Sequence, residues 1–237
     1  MKVSLVLLVL ACPAFAGLKV DRRLTSRGSD ETQTAVLRES YDNEHQRVDV
    51  LDRAGKSVTG RLSLFDVAKA EMFLFEDKEK KVLAASRKKF EALSKLRQKK
   101  SAPLAAVTFS AAGRRTVGRW DCALYRVTRG TKRLGELCTV PLASLGLTPG
   151  DLGTFGQAEE LAWDEGAQGN EWMNETRYGF PVEVRTEATK LALASQAEVL
   201  DVRKTNFALS HFALPKGYRR EEMPLLPGQV SAPAMPQ

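Results

Sequence analysis

Two cysteines in one predicted β-hairpin constrain the fold of this 237-residue chain more than any other feature. Residues 116–128 and 132–140 are rich in strand-forming side chains, and Gly130 lies in the turn between them. A three-residue loop over residues 129–131 places Cys122 directly opposite Cys138, whereas a two-residue loop misses that register by one. Directly opposed residues have Cβ atoms roughly 4.5–5.5 Å apart, which is close to disulfide range. The spacing therefore predicts a cross-strand disulfide between Cys122 and Cys138.

The first 16 residues have the pattern of a secretory signal peptide. Lys2 precedes an apolar run over residues 3–11, and the small residues at 14 and 16 predict cleavage before Gly17. An apolar run of about ten residues is short for a membrane-spanning helix, which needs roughly 20. The alternative is a lipoprotein signal, since residues 9–12 resemble a bacterial lipobox that would leave Cys12 lipidated. We therefore expect an exported protein, periplasmic or extracellular, or else one anchored to a membrane through Cys12.

Cysteine usage agrees with export. Removal of the signal leaves two of the three cysteines, and an even pair in an oxidising compartment favours a disulfide over two unpaired buried thiols. Closing a loop of about 15 residues would stabilise the fold by roughly 3 kcal/mol.

The pattern over residues 17–222 predicts a single, mainly β (α+β) domain. Strands are predicted at residues 33–41, 46–51, 57–65, 71–76, 81–85, 180–184, 190–194, 198–205 and 207–212, in addition to the hairpin. Helices are predicted over residues 149–163, after the N-cap Thr148, and in the second half of residues 78–100. This content predicts a curved antiparallel sheet or incomplete barrel wrapped around two or three helices. Residues 223–237 are proline-rich and are expected to form a disordered tail.

A basic stretch at residues 78–100 contains eight lysines and two arginines against two glutamates, within a chain of formal net charge +7. A solvated face of a packed helix explains such a pattern, and docking on an anionic membrane surface or an envelope protein is the functional alternative. Nucleic acid is not an expected partner, because no nucleic-acid-binding motif accompanies the charge. The residues that would form the surface are Lys88, Lys89, Lys95, Arg97, Lys99 and Lys100.

The sequence contains no recognisable catalytic, metal or cofactor motif. His45 and His211 lie beside predicted strands without acidic or cysteine partners at metal-ligand spacing, so structural roles are expected for both. Nucleophile-elbow, zinc-protease and phosphate-binding-loop patterns are missing from the sequence. We therefore predict a non-enzymatic protein. An exported hydrolase with a dispersed site is a third alternative, after ligand binding and docking.

The motif around Trp120 and Cys122 (residues 117–125), followed by Cys138, Gly179-Phe180-Pro181-Val182 and residues 212–218, resembles an uncharacterised family of exported bacterial proteins. That family is similar in fold to the periplasmic lipoprotein carriers. The resemblance spans residues 19–218 and implies a half-barrel with an apolar cavity, which in the carriers accepts acyl chains. A lipid or other apolar ligand is thus the expected partner. The candidate cavity-lining residues are Phe73, Phe75, Phe109, Trp120, Leu124, Phe180 and Phe212.

Overall fold

Twelve strands form one open, curved sheet in a computed structural model that describes residues 15–27, 31–86, 88–89, 105–157, 171–188 and 194–223. The strands are β1 (Phe15–Arg27), β2 (Thr32–Tyr41), β3 (His45–Leu51), β4 (Ser57–Asp66), β5 (Glu71–Glu76), β6 (Lys81–Ala85), β7 (Val107–Val117), β8 (Trp120–Arg129), β9 (Lys132–Val140), β10 (Phe180–Thr186), β11 (Ala194–Phe207) and β12 (Arg219–Glu222). Their order is β12-β6-β5-β4-β3-β2-β1-β11-β10-β9-β8-β7. All neighbours are antiparallel except β12 and β6. The predicted mainly β, curved antiparallel sheet is confirmed.

Within the described residues no helix reaches seven residues, so the predicted wrapping of the sheet around helices is not supported. Residues 88–89, the described part of the second predicted helix, are helical. Residues 149–163 were expected to be helical, but Pro149–Leu152 is a single 3-10 turn and residues 153–156 form turns. The expected capping box between Thr148 and Asp151 is present. Gly153 and Gly156 have φ of 56° and 82°, and this left-handed backbone cannot continue a right-handed helix. Residues 158–163 and 90–100 of the two predicted helices lie outside the described residues.

The hairpin carries the predicted disulfide in a different register. Residues 116–128 are not one strand, because a turn at Gly118 and Arg119 separates β7 from β8. The loop from β8 to β9 has two residues, since Arg129 pairs with Lys132. Pairing then shifts between Val127 and Thr128, so that Leu134 is an extra residue on β9.

Direct opposition of the two cysteines is therefore wrong, and Cys138 faces Leu124 instead of Cys122. Cys122 and Cys138 are nevertheless bonded diagonally, with their Cα atoms 5.5 Å apart. This separation lies within the range that a disulfide spans.

Separate apolar clusters cover opposite faces of the sheet. Residues directly opposite each other on neighbouring strands form a row across the sheet. The side chains of one row point to the same face, and those of the next row point to the other face. One row runs Leu18, Tyr41, Gln46, Phe65, and the next runs Lys19, Ser40, Arg47, Leu64. Cluster one, containing Leu18 and Tyr41, packs under residues 142–155, and cluster two, containing Leu64, packs under Phe212. Each face is thus covered in part by the chain itself.

Cluster three lies beside β7 at the edge of the sheet. Its buried members are Val127, Leu137, Trp172 and Val184, with Trp172 supplied by the 3-10 turn Glu171–Asn174. Among the described residues, no helix has the length and apolar character needed to cross a membrane.

Candidate functional site

The structure distributes the seven predicted cavity-lining residues over three clusters. Cluster two contains Phe73, Phe75 and Phe212. Cluster one contains Leu124 and Phe180, with Trp120 packed against it. Phe109 packs against cluster three. The seven side chains are therefore not brought together around one space, and lining of a common cavity stays a prediction.

An exposed aromatic surface lies next to cluster three, formed by Phe109, Tyr125, Arg177 and Tyr178. The Tyr178 ring centroid is 5.0 Å from that of Phe109 and 4.8 Å from that of Tyr125. The guanidinium carbon of Arg177 is 5.9 Å from the Phe109 ring centroid and 5.8 Å from that of Tyr178. Tyr178 is 39% exposed, and Phe109 and Tyr125 are partly buried. The surface therefore combines open apolar area with one cation.

Backbone geometry holds Tyr178 in this position. The Thr139 hydroxyl donates a hydrogen bond of 2.7 Å to the Tyr178 carbonyl, and the Gly179 N–H donates one of 3.0 Å to the Thr176 carbonyl. Gly179 has φ of 115°, and a Cβ there would lie 2.4 Å from the Val140 carbonyl oxygen. Only glycine fits this turn without strain. Tyr125 and Tyr178 were missed by sequence reasoning, although the Gly179-Phe180 motif lies beside Tyr178.

The two histidines pack against phenylalanines of cluster two. The Nδ1 of His45 is 3.1 Å from a carboxylate oxygen of Asp42, and its ring stacks on Phe212 with centroids 5.3 Å apart. His211 stacks on Phe207 at 4.6 Å. Within the described residues no group of three or more potential metal ligands occurs. Both rings pack against aromatic side chains.

Acidification is expected to destabilise the protein through His211. Burial, and then the charge of Arg47, lowers the pKa of His211 below its usual value of about 6.5. The unfolded state then takes up the proton more readily than the folded state. The stabilisation is therefore complete above about pH 6.5 and is lost as the pH falls through the folded-state pKa.

Thermal melts of the wild type and of His211→Phe over about pH 7.5 to 5 check this expectation. The wild-type melting temperature should fall more steeply, because the phenylalanine keeps the stacking and removes the titrating group. Parallel curves for the two proteins would contradict the role of His211.

Two of the six residues predicted to form the basic surface, Lys88 and Lys89, are described. Lys88 is exposed, and the Nζ of Lys89 is 3.6 Å from a carboxylate oxygen of Glu222. The other predicted surface residues, Lys95, Arg97, Lys99 and Lys100, lie outside the described residues. Docking on an anionic membrane or an envelope protein through this stretch stays a prediction.

A buried ion pair lies beside cluster one. The Arg22 Nε is 3.0 Å from a carboxylate oxygen of Glu39, and both side chains are at most 10% exposed. The same Glu39 oxygen accepts a hydrogen bond of 2.9 Å from the Tyr41 hydroxyl. The guanidinium of Arg22 lies over the Phe155 ring at 5.3 Å. This network connects β1 and β2 to the segment that covers them.

These features define a mainly β domain with an open sheet, one cross-strand disulfide and an aromatic surface at one sheet edge. The chain belongs to the family described as "Domain of unknown function (DUF4412)", which matches residues 29–218. This match confirms the resemblance to an uncharacterised family. A search of curated proteins gave no match.

Several solved structures align with most of this chain at low sequence identity. An uncharacterised conserved protein from Thermus thermophilus has a TM-score of 0.48 at 8% identity, covering 88% of this chain and 91% of that one. A LolA superfamily protein from Nitrosomonas europaea has a TM-score of 0.35 at 9% identity, covering 86% and 92%. A putative outer membrane lipoprotein-sorting protein domain from Vibrio parahaemolyticus has a TM-score of 0.30 at 10% identity, covering 79% and 85%.

Proposed function

We propose that this protein is a non-enzymatic, exported protein of the bacterial envelope that binds an apolar or lipid-like ligand. The N-terminal signal pattern supports export. The Cys122–Cys138 disulfide agrees with an oxidising compartment. The aromatic surface carries the binding part of the proposal.

The aromatic surface suits an apolar chain because its rings are packed together but remain partly open. Aromatic rings supply large apolar area at low entropic cost, and exposed clusters of them mark ligand or partner sites. Among the described residues, Tyr178 and Leu214 are the large apolar side chains that are most exposed, and Tyr178 belongs to the aromatic surface. An acyl chain lying along Phe109, Tyr125 and Tyr178 would bury this area.

The charge beside these rings suits an acidic head group. Arg177 contacts Glu175 with N···O distances of 2.6 and 2.7 Å, so the cation is held in place on the exposed side of the rings. A guanidinium can also bind a carboxylate or phosphate at its remaining N–H groups. A ligand with an apolar chain and an acidic head group therefore matches the chemistry of the surface.

The predicted interior residues are less suited to hold this ligand. Phe180 is fully buried and its ring lies 5.1 Å from Phe155. Phe75 contacts Tyr218, and Phe212 contacts Phe207. These contacts already bury the apolar area of Phe75, Phe180 and Phe212. Phe109, by contrast, lies on the open aromatic surface.

Replacing Tyr178 with alanine is expected to weaken binding of a fluorescent long-chain fatty acid. Loss of one aromatic contact should reduce the binding free energy by about 1–3 kcal/mol, which is roughly 5- to 150-fold in Kd. Fluorescence titration of the purified protein measures this change. Lipid extraction of protein purified from its own host should also release acyl-chain ligands.

Leu214→Ala is the matched control, because Leu214 is 38% exposed and does not belong to the aromatic surface. Its affinity for the fatty acid should equal that of the wild type. Equal losses in the two variants, or no saturable binding by the wild type, would reject the proposed site.

A further inference from the structure

A cavity of about 310 Å³ lies on the sheet face opposite the aromatic surface. The row Leu24, Ala197, Val184, Leu137, Tyr125 belongs to the apolar side, with Tyr125 on the aromatic surface. The adjacent row contains Thr25, Gln196, Arg185 and Glu136, and these four residues line the cavity. Because adjacent rows face opposite sides, the two sites are physically separate.

Four arginines line this cavity, which we call the arginine cavity: Arg27, Arg115, Arg133 and Arg185. They come from four different strands or strand ends, β1, β7, β9 and β10. The fold thus brings four guanidinium groups from distant parts of the chain to one concave site. The hydroxyl of Ser195 and the amide of Gln196 add polar groups to the wall.

Carboxylates orient three of these arginines but do not use all of their N–H groups. Arg115 donates hydrogen bonds of 2.7 Å to Glu183 and to Glu136. Arg185 donates one of 2.8 Å to Glu183, while its Nε is buried without a hydrogen-bond partner among the described residues. Arg133 contacts Glu136 at 2.8 Å and Glu187 at 2.9 Å. A guanidinium has five N–H donors, so donors remain for a ligand.

The charge balance of the cavity favours an anion. Arg27 is exposed and has no ion-pair partner among the described residues. Burial by itself raises the pKa of Glu136, but the hydrogen bond from Arg115 and the nearby arginines lower that pKa overall, which keeps the carboxyl ionised at neutral pH. Four guanidinium groups therefore face three carboxylates, those of Glu136, Glu183 and Glu187, and one positive charge remains.

We propose that the arginine cavity binds a phosphate monoester group through Arg27, Arg133 and Arg185. The planar guanidinium fork matches phosphate oxygens in a bidentate manner, which a lysine ammonium cannot do. The volume lies at the lower end of ligand pockets, which span roughly 300–1,000 Å³, so it suits a head group or a small phosphate ester. This site goes beyond the proposed function, because it does not depend on the aromatic surface.

Calorimetric titration of the full protein with glycerol phosphate at low ionic strength tests the proposal. The double variant Arg27→Gln/Arg133→Gln should bind glycerol phosphate at least roughly tenfold more weakly. It removes the unpaired positive charge of Arg27 and the bidentate guanidinium of Arg133. Arg53→Gln is the matched control, since Arg53 is exposed in the turn between β3 and β4, and it should bind like the wild type. Arg133→Lys keeps the charge and should still lose affinity if the fork geometry matters.

Vesicles distinguish the two sources of the phosphate group. Retention on phosphatidic acid vesicles above that on phosphatidylcholine vesicles, lost in the double variant, assigns the site to a lipid head group. Binding of glycerol phosphate without such retention assigns it to a soluble phosphate ester. Both results support the proposal.

Equal glycerol phosphate affinity in the wild type and the double variant, or no saturable binding of either probe, overturns the proposal. Thermal melts of each variant exclude misfolding as the cause of a loss. Tyr178→Ala should leave phosphate binding unchanged, so failure of the proposed acyl-chain site and failure of this site are distinguishable.

Discussion

Glu39→Ala is expected to destabilise the protein by about 3–5 kcal/mol, because it leaves the buried Arg22 guanidinium without its carboxylate. The hydrogen bond from the Tyr41 hydroxyl is lost in the same substitution. A domain of this kind is held folded by roughly 5–15 kcal/mol, so the change removes a large part of the total. Urea unfolding of the purified variant measures it.

The neighbouring ion pair between β1 and β2, Asp21 with Arg38, provides the control. Arg38 donates two hydrogen bonds of 2.9 Å to Asp21, but these side chains are 26% and 18% exposed. Asp21→Ala should therefore cost only about 1 kcal/mol, because water screens the remaining charge. The double variant Arg22→Met/Glu39→Leu should recover much of the loss, since it removes both buried charges. Similar losses for Glu39→Ala and Asp21→Ala would show that burial of the first pair is not important.

Reduction of the Cys122–Cys138 disulfide should lower the free energy of unfolding by about 2–5 kcal/mol. The bond closes a loop between residues 16 apart in sequence and fixes β8 against β9, next to the shift in their pairing. Both cysteines are buried in cluster one, so the bond also contributes packing. Thermal and denaturant melts with and without reductant measure the effect.

A Cys122→Ala/Cys138→Ala variant should be destabilised in the same way and should not respond further to reductant. Thiol titration of unfolded, unreduced protein beginning at Gly17 should find no free thiol. Two free thiols per chain, or a melt that reductant does not change, would contradict the role of the bond.

Strands in which strand-forming residues alternate or cluster between turn signals were predictable from sequence. The bounds of β5 and β6 match the predictions, and those of β2, β3 and β4 differ by one residue at one end. β7 was not predicted, because its Ala111, Ala112 and Gly113 interrupt the alternation at a bulge. The hairpin register failed for a similar reason, since the extra residue Leu134 has no distinct sequence signal.

The aromatic surface could be predicted only in part. Phe109 was named as a candidate because it is aromatic and apolar, but its partners are far away in sequence. Tyr178 reaches it through a turn that depends on the left-handed backbone at Gly179, and Tyr125 reaches it through the register of β8. The arginine cavity shares this property, because it combines residues from separate strands that no short motif connects.

The central position of β1 has a consequence for how the chain folds. Within the described strands, the set β2–β6 with β12 and the set β7–β10 are joined through the pairing of β1 with β11. The pairing of β1 with β11 brings together residues such as Arg23 and Glu198, which are 175 positions apart. Long-range pairing of this kind makes folding slow, because the loop must close before the contacts form. Until β11 has been synthesised, β1 and β10 each present an unpaired edge, and a newly made chain is most open to misassociation during that interval.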